Sequence, residues 1–325
     1  MICIYFRFNF ILCESKNQST LMLNINIENE YSPLKTVILG IAKNIGAPPS
    51  VSDAFDPRSL YHIKNNSYPN EESLILELDS FKKKLLKYGV EVLRPTNIID
   101  CNQIFTRDLG FVVSNVFFLS NIVPNRKDEI KGISEILKKF NVGVIKLPEF
   151  MHIEGGDIIV HNDKIFIGTY SDEDYSSLIT ARTNTESVDY LKKLISSKEI
   201  IPINLKKSNK NIFENTLHLD CCFQTISSDR AIICPDGFKQ KEDIDYLIKL
   251  FGKKNVFIAN REEAFMLNSN VFVISPDIIV SHTKFKRLNN WLKEKGILVE
   301  KVNFSNVSKM SGLFRCSTLP LYRES

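Results

Sequence analysis

Five side chains stand where they could do chemistry together. Asp108 closes FTRD, Glu154 opens EGGD, His218 and Asp220 share LHLD, and Cys316 lies in FRCSTLPL. A thiolate is a nucleophile, and a histidine can carry protons to and from a reacting group. A carboxylate beside that histidine orients and charges it. The remaining carboxylates suit a cation, and a guanidinium matches carboxylates through paired, planar hydrogen bonds. Its delocalised charge must be polarised before a nucleophile can reach the central carbon. The set therefore suits attack by Cys316 on a guanidine carbon. A general cysteine hydrolase of amides fits less well, because crowded carboxylates oppose an oxyanion.

Each short motif alone is more often structural than catalytic. EGGD alone is usually a turn, and a lone cysteine usually packs. Read as a strand, LHLDCC puts His218 and Asp220 on one face, with Leu217 and Leu219 on the other. The paired glycines beside Glu154 allow a close backbone approach. His62, His152, His161 and His282 read as structural or solvated, with His152 near enough to Glu154 to line the same pocket. Cys221 and Cys222 read as strand packing. A zinc site from His218 and Cys222 lacks four ligands at a known spacing, so neither metal nor cofactor is expected.

What raises these residues above the bland reading is where they fall. Four β-hairpins are predicted, at 109–120, 157–168, 219–234 and 270–281, with Ser-Asn, Asn-Asp, Ser-Asp and Pro-Asp at the turns. Each precedes a helical stretch (126–140, 187–196, 241–251 and 285–295) and a short strand (142–147, 200–203, 256–258 and 297–302). The unit is strand–strand–helix–strand, with a period of roughly 50–60 residues, within the range of repeat architectures. A strand at 35–40, a helix at 72–88 and a strand at 90–93 make a partial fifth unit that lacks one strand, and the chain end, 313–321, has one to spare. Pairing the two ends would close a ring and remove open sheet edges. The expected fold is a five-unit ββαβ α/β propeller in a single domain. A doubly wound α/β sheet competes, but hairpins ahead of the helices argue against it. In a closed ring the polar motifs converge on the axis.

The 325 residues are 43% hydrophobic and 25% charged, which excludes disordered and fibrous classes. The net charge of +4 comes without long single-sign runs, so neither nucleic acid nor an acidic membrane is expected as a partner. No apolar run reaches the roughly 18–20 residues of a membrane span. Seven cysteines without a CxxC spacing suit a reducing cytoplasm. Residues 1–21 read as an atypical extension, and 22–325 as the catalytic domain. A homo-oligomer is compatible with the sequence.

Five motifs in order, FTRD, HIEGGD, ARTN, LHLD and RCSTLPLYRE, make residues 30–325 resemble the pentein superfamily of guanidino-group-modifying enzymes. These include arginine deiminase, dimethylarginine dimethylaminohydrolase and the glycine amidinotransferases. The resemblance implies the five-unit propeller. It implies Cys316 as nucleophile, His218 as general acid/base and Glu154 as its acid partner. Asp108 and Asp220 would grip the guanidinium, and Arg182 would bind the substrate's α-carboxylate. Arg315 would contact the substrate, whereas Arg107 has at least as good a structural reading. SGLFRCSTLPL resembles the hydrolases, while LHLDCCFQTI and MLNSNVFVI resemble the amidinotransferases. Hydrolysis through a covalent amidino-cysteine intermediate is slightly favoured. Transfer of the amidino group from arginine to an amine such as glycine is the alternative, and a catalytically silent binding module is the third reading.

Overall fold

The computed structural model describes residues 22–54 and 56–324. The expected extension, 1–21, lies outside the described residues. The chain starts with β1 (Leu34–Leu39), two helices, α1 (Pro57–Lys64) and α2 (Glu71–Lys87), and β2 (Glu91–Leu93). Asn70 caps α2 by accepting from the Ser73 amide, with Glu71 and Glu72 in the first turn and Lys84 and Lys87 in the last. Leu74, Leu78, Phe81 and Leu85 form its buried stripe.

Four units follow. The second holds β3 (Gly110–Val113), β4 (Val116–Leu119), α3 (Ser134–Leu137) and β5 (Val144–Lys146). The third holds β6 (Ile158–His161), β7 (Lys164–Thr169), α4 (Thr185–Leu194) and β8 (Glu199–Asn204). The fourth holds β9 (Phe223–Thr225), β10 (Ala231–Ile233), α5 (Lys241–Phe251), β11 (Val256–Ile258) and a short α6 (Arg261–Phe265). The fifth holds β12 (Phe272–Ser275), β13 (Ile278–His282), α7 (Lys286–Glu294) and β14 (Leu298–Val302). The last strand is β15 (Thr318–Arg323).

These strands form five separate three-stranded sheets. In four of them an antiparallel hairpin is extended by a parallel third strand after the helix. The fifth is β15–β1–β2, in which the end of the chain supplies the strand its beginning lacks. Leu34 pairs with Arg323 and Leu39 with Thr318, so the loop carrying Cys316 is fixed at the start of β15. Ser114 and Asn162 turn two of the hairpins at positive φ of 51° and 54°. Asparagine tolerates that region better than most residues.

Two expectations are corrected. The helix expected over 126–140 is a 3-10 stretch, Pro124–Ile133, running into the single turn of α3. Arg126 grips Glu129 three residues on, at 2.7 Å, which suits the tighter winding. Gly132 is pressed so close to Gln103 that an added Cβ would lie 2.1 Å from its Nε2. The segment holding His218 and Asp220 is a 3-10 turn, Leu219–Cys221, with His218 at its N-cap, and the strand begins only at Phe223. Among the described residues no helix is long and apolar enough to cross a membrane.

Candidate active site

The same local device recurs ahead of three first strands. Short 3-10 turns at Thr106–Leu109, Gly155–Asp157 and Leu219–Cys221 lead directly toward β3, β6 and β9. They carry Asp108, Glu154 with Asp157, and His218 with Asp220. These turns and the loop before β15 bring Asp108, Arg126, Arg182, His218 and Cys316 to the wall of one cavity of about 30 Å³. It shares Tyr68, Asn102, Arg126 and Met310 with a wider cavity of about 530 Å³.

The histidine is held from two sides. Its Nε2 lies 2.8 Å from Glu154 Oε2, and its Nδ1 lies 3.6 Å from Asp108 Oδ1. Burial alone would lower its pKa, but Asp108, Glu154 and Asp157 reverse that and raise it above the ordinary value. Burial would raise the Glu154 pKa, but Arg182, His218 and Arg126 hold it well below the carboxylate range. Arg182 Nη1 bridges both Glu154 oxygens at 3.1 Å, and Glu154 Oε1 also accepts from the Val123 amide. Both shifts favour the charged form of each partner.

Glycine makes this contact possible. A Cβ on Gly156 would lie 2.7 Å from His218 Cγ and 2.8 Å from Asp108 Oδ1. A Cβ on Gly155 would meet the Arg107 carbonyl oxygen at 2.2 Å. Asp157 accepts from the Leu219 amide at 2.9 Å and from Thr183 Oγ1 at 2.7 Å, so it ties the His218 turn to the segment carrying Arg182.

Cys316 Sγ lies 3.5 and 3.7 Å from the two Asp220 oxygens. A hydrogen bond with Cys221, burial, and the Asp220 charge together push its thiol well above the ordinary cysteine pKa. These contacts favour the neutral form of the Cys316 thiol. Asp220 is held by Arg315, whose Nη1 donates at 2.9 Å. Arg315 also donates to Glu30 at 2.9 Å and to the Ile158 carbonyl at 2.6 Å. Arg315, expected to contact substrate, is wholly buried and holds Asp220; neither of the two lines the cavity wall. Arg107 likewise points inward, with Nε donating to the Arg315 carbonyl at 3.3 Å and its guanidinium near Glu30.

Arg126 donates to Asp108 Oδ2 at 2.6 Å and leaves Asp108 Oδ1 buried without a hydrogen-bond partner. An unpaired buried carboxylate oxygen at a cavity wall suits a cationic donor from a ligand. Two groups offer ligands to a metal: Asp108, Glu154 and His218, and Asp220, Cys221 and Cys316. In the first, Arg126 and Arg182 already pair with Asp108 and Glu154.

Asn270 is a site residue that the sequence reading did not assign. Its Nδ2 lies 3.1 Å from Cys316 Sγ, and its Oδ1 accepts from the Arg315 and Cys316 amides at 3.1 and 3.2 Å. The available signal was positional: Asp108, Asn270 and Cys316 each stand two residues before the first residue of β3, β12 and β15. Of the remaining histidines, His152 contacts the Tyr175 hydroxyl at 3.2 Å rather than the cavity, and His161 packs against Tyr31, Phe166 and Phe251. Cys221 lies in the turn beside the nucleophile rather than in strand packing.

The chain is similar to several known proteins. A family model described as "N,N dimethylarginine dimethylhydrolase, eukaryotic" matches residues 50–323. The chain is 27% identical over 299 residues to "Uncharacterized protein YkgA" of Bacillus subtilis, covering 90% of this chain and 94% of that one. It is 24% identical over 273 residues to an arginine deiminase of Bacillus thuringiensis, covering 69% of this chain but only 62% of the deiminase. Among solved structures, the amidinotransferase SxtG of Microseira wollei has a TM-score of 0.74 at 17% identity, covering 93% and 98% of the two chains. The N-terminal domain of ArgZ, an arginine dihydrolase of cyanobacteria, has a TM-score of 0.73 at 18% identity, covering 89% and 97%. At those identities the likeness is one of fold.

Proposed function

The chain belongs to the eukaryotic-type N,N dimethylarginine dimethylhydrolase family, within the pentein superfamily of guanidino-group-modifying enzymes, and on that premise we propose that it hydrolyses the guanidino group of arginine or a methylated arginine. The observation that carries the reading is Asp108 Oδ1, which has no hydrogen-bond partner although His218 Nδ1 lies 3.6 Å away, at the wall shared with His218 and Cys316. A guanidinium donating to Asp108 and Asp220 lies against the Cys316 thiol. Its positive charge opposes the carboxylate field that keeps the thiol protonated, so substrate binding itself favours the thiolate.

Sγ then bonds to the guanidine carbon, and the bond from that carbon to the leaving nitrogen breaks. With Nε2 taken by Glu154, Nδ1 is the His218 atom left to move protons. It protonates the departing ammonia or methylamine, then takes a proton from the water that attacks the amidino-cysteine intermediate. Carbon–sulfur cleavage gives the ureido product and frees the thiolate. Arg182, at the same cavity wall, reads the α-carboxylate. The five sheets serve as the blades of a five-unit propeller whose axis is this cavity.

The test is incubation with arginine, monomethylarginine, dimethylarginine and agmatine, followed by analysis of citrulline, ornithine, ammonia and amines. Citrulline with ammonia or a methylamine is expected, and Cys316→Ser should abolish it while leaving the fold intact. Ornithine appearing only when glycine or another amine is added would replace hydrolysis with amidino transfer.

A further inference from the structure

The nucleophile has a second thiol beside it. The sulfurs of Cys316 and Cys221 and the carboxylate of Asp220 all lie within 4.8 Å of one another. Both thiols are directed at that carboxylate, Cys221 at 3.5 Å from Oδ1 and Cys316 at 3.5 Å from Oδ2. The two cysteines come from segments 95 residues apart that the fold presses together, and both are buried. They stand between two cavities. Cys316 lines the catalytic one, and Cys221 lines a separate cavity of about 60 Å³ with Thr216, Cys222, Gly237 and Leu267. Cys222 is engaged elsewhere, with its Sγ 3.4 Å from the Leu219 carbonyl.

We propose that Cys221 and Cys316 form a reversible disulfide under peroxide, a modification site that switches the nucleophile off and protects it from irreversible oxidation. The Cys316 thiolate attacks the peroxide O–O bond, which makes a sulfenic acid and releases hydroxide. Cys221 attacks that sulfur, the S–S bond forms, and the sulfenic oxygen leaves with the Cys221 proton as water. Two thiols and one hydrogen peroxide give one disulfide and two waters. The two sulfurs, within 4.8 Å of each other, must close to the about 2 Å of a disulfide bond. Because both thiols sit in the Asp220 field, the first step quickens as pH rises, which sets alkaline conditions for the test. The switch-off of activity rests on Cys316 being the nucleophile, whereas the disulfide itself does not.

The experiment treats the full chain with hydrogen peroxide at about pH 9, quenches with catalase and alkylates remaining thiols. Tryptic peptides are then mapped and activity is followed before and after dithiothreitol. Trypsin places Cys221 and Cys222 in 211–230 and Cys316 in 316–323, so the disulfide is read as a cross-linked pair of these peptides. Expected are that cross-link, its persistence in Cys222→Ser, its loss in Cys221→Ser, and recovery of most activity on reduction. Measured against its own activity before oxidation, Cys221→Ser should lose activity irreversibly as Cys316 passes to sulfinic acid. A cross-link that requires Cys222, none at all, or equal recovery in Cys221→Ser would overturn the proposal. Should the chain act on no guanidine, the cross-link remains readable by mass alone.

Discussion

Asn270 offers the sharpest test of how the Cys316 thiol is tuned. Both ends of its amide are engaged: Oδ1 accepts from the Arg315 and Cys316 backbone amides, and Nδ2 donates toward Cys316 Sγ at 3.1 Å and to the Asp220 carbonyl at 3.3 Å. Hydrogen bonds to charged groups contribute about 1.5–3 kcal/mol. If the Nδ2 contact strengthens as the thiol ionises, its removal should slow reactions of the thiolate about 10- to 150-fold, at about 1.4 kcal/mol per decade. The Oδ1 contacts are a separate matter of stability. Leaving two buried amides unpaired costs about 1–3 kcal/mol each.

Two variants separate the effects. Asn270→Ala removes all of these contacts, so alkylation by 2-chloroacetamidine slows and the melting temperature falls. Asn270→Asp keeps an acceptor for the two amides but replaces the donor to sulfur with a negative charge. Its alkylation should slow at least as much as in the alanine variant, and the pH at which the reaction reaches half its maximum should move upward. Near-UV circular dichroism checks that the core survives. If both variants alkylate within twofold of the parent at every pH while melting earlier, Asn270 only staples the loop and the reasoning is wrong.

Other outcomes follow from the same contacts. Gly156→Ala drives a Cβ to 2.7 Å from the His218 ring, so kcat should fall by about the 10²–10⁴ that a positioned proton carrier supplies, with the circular dichroism unchanged; normal turnover would refute it. Arg182→Ala should weaken arginine far more than agmatine, which lacks the carboxylate, and equal losses would show that Arg182 serves only to charge Glu154. Far from the site, hydrogen bonds from Lys84, Lys87 and Tyr88 pull the Glu300 pKa down to about 2. A depressed carboxylate stabilises the fold fully above its unfolded pKa near 4.5 and loses that contribution as pH falls toward 2. With solvent-screened lysine partners the contribution is about 1–2 kcal/mol, so Glu300→Gln should melt earlier at pH 7 and converge with the parent near pH 2. A constant difference across that range would show that the clamp is packing rather than charge.

The repeat was legible because each unit writes its two hairpin strands and its helix in separate hydrophobic periods, and the missing first strand had an unclaimed counterpart after Cys316. The β1–β15 pairing is that counterpart. What pattern could not show was backbone at the unit starts. The 3-10 turns around Asp108, Gly155 and His218 are too short to have a period, and LHLDCC alternates well enough to pass for a strand. Likewise 126–140 carries helical spacing, but the Arg126–Glu129 pair and the close packing of Gly132 wind it tighter.

The partners of charges were the harder part. A sequence shows that Arg182 and Arg315 lie in motifs, not which carboxylate each one faces. Burial decides that, because a wholly buried guanidinium must be matched by nearby anions. Arg315 finds Asp220 and Glu30, whereas Arg182, which lines the cavity, finds Glu154. Two arginines of equal sequence prominence thus separate into an anchor for Asp220 and a charge facing the cavity. Among the described residues at that wall, Asp108 Oδ1 is the buried carboxylate oxygen without a hydrogen bond, with only the longer 3.6 Å contact to His218 Nδ1, and under the proposed function it is where a cationic substrate would donate.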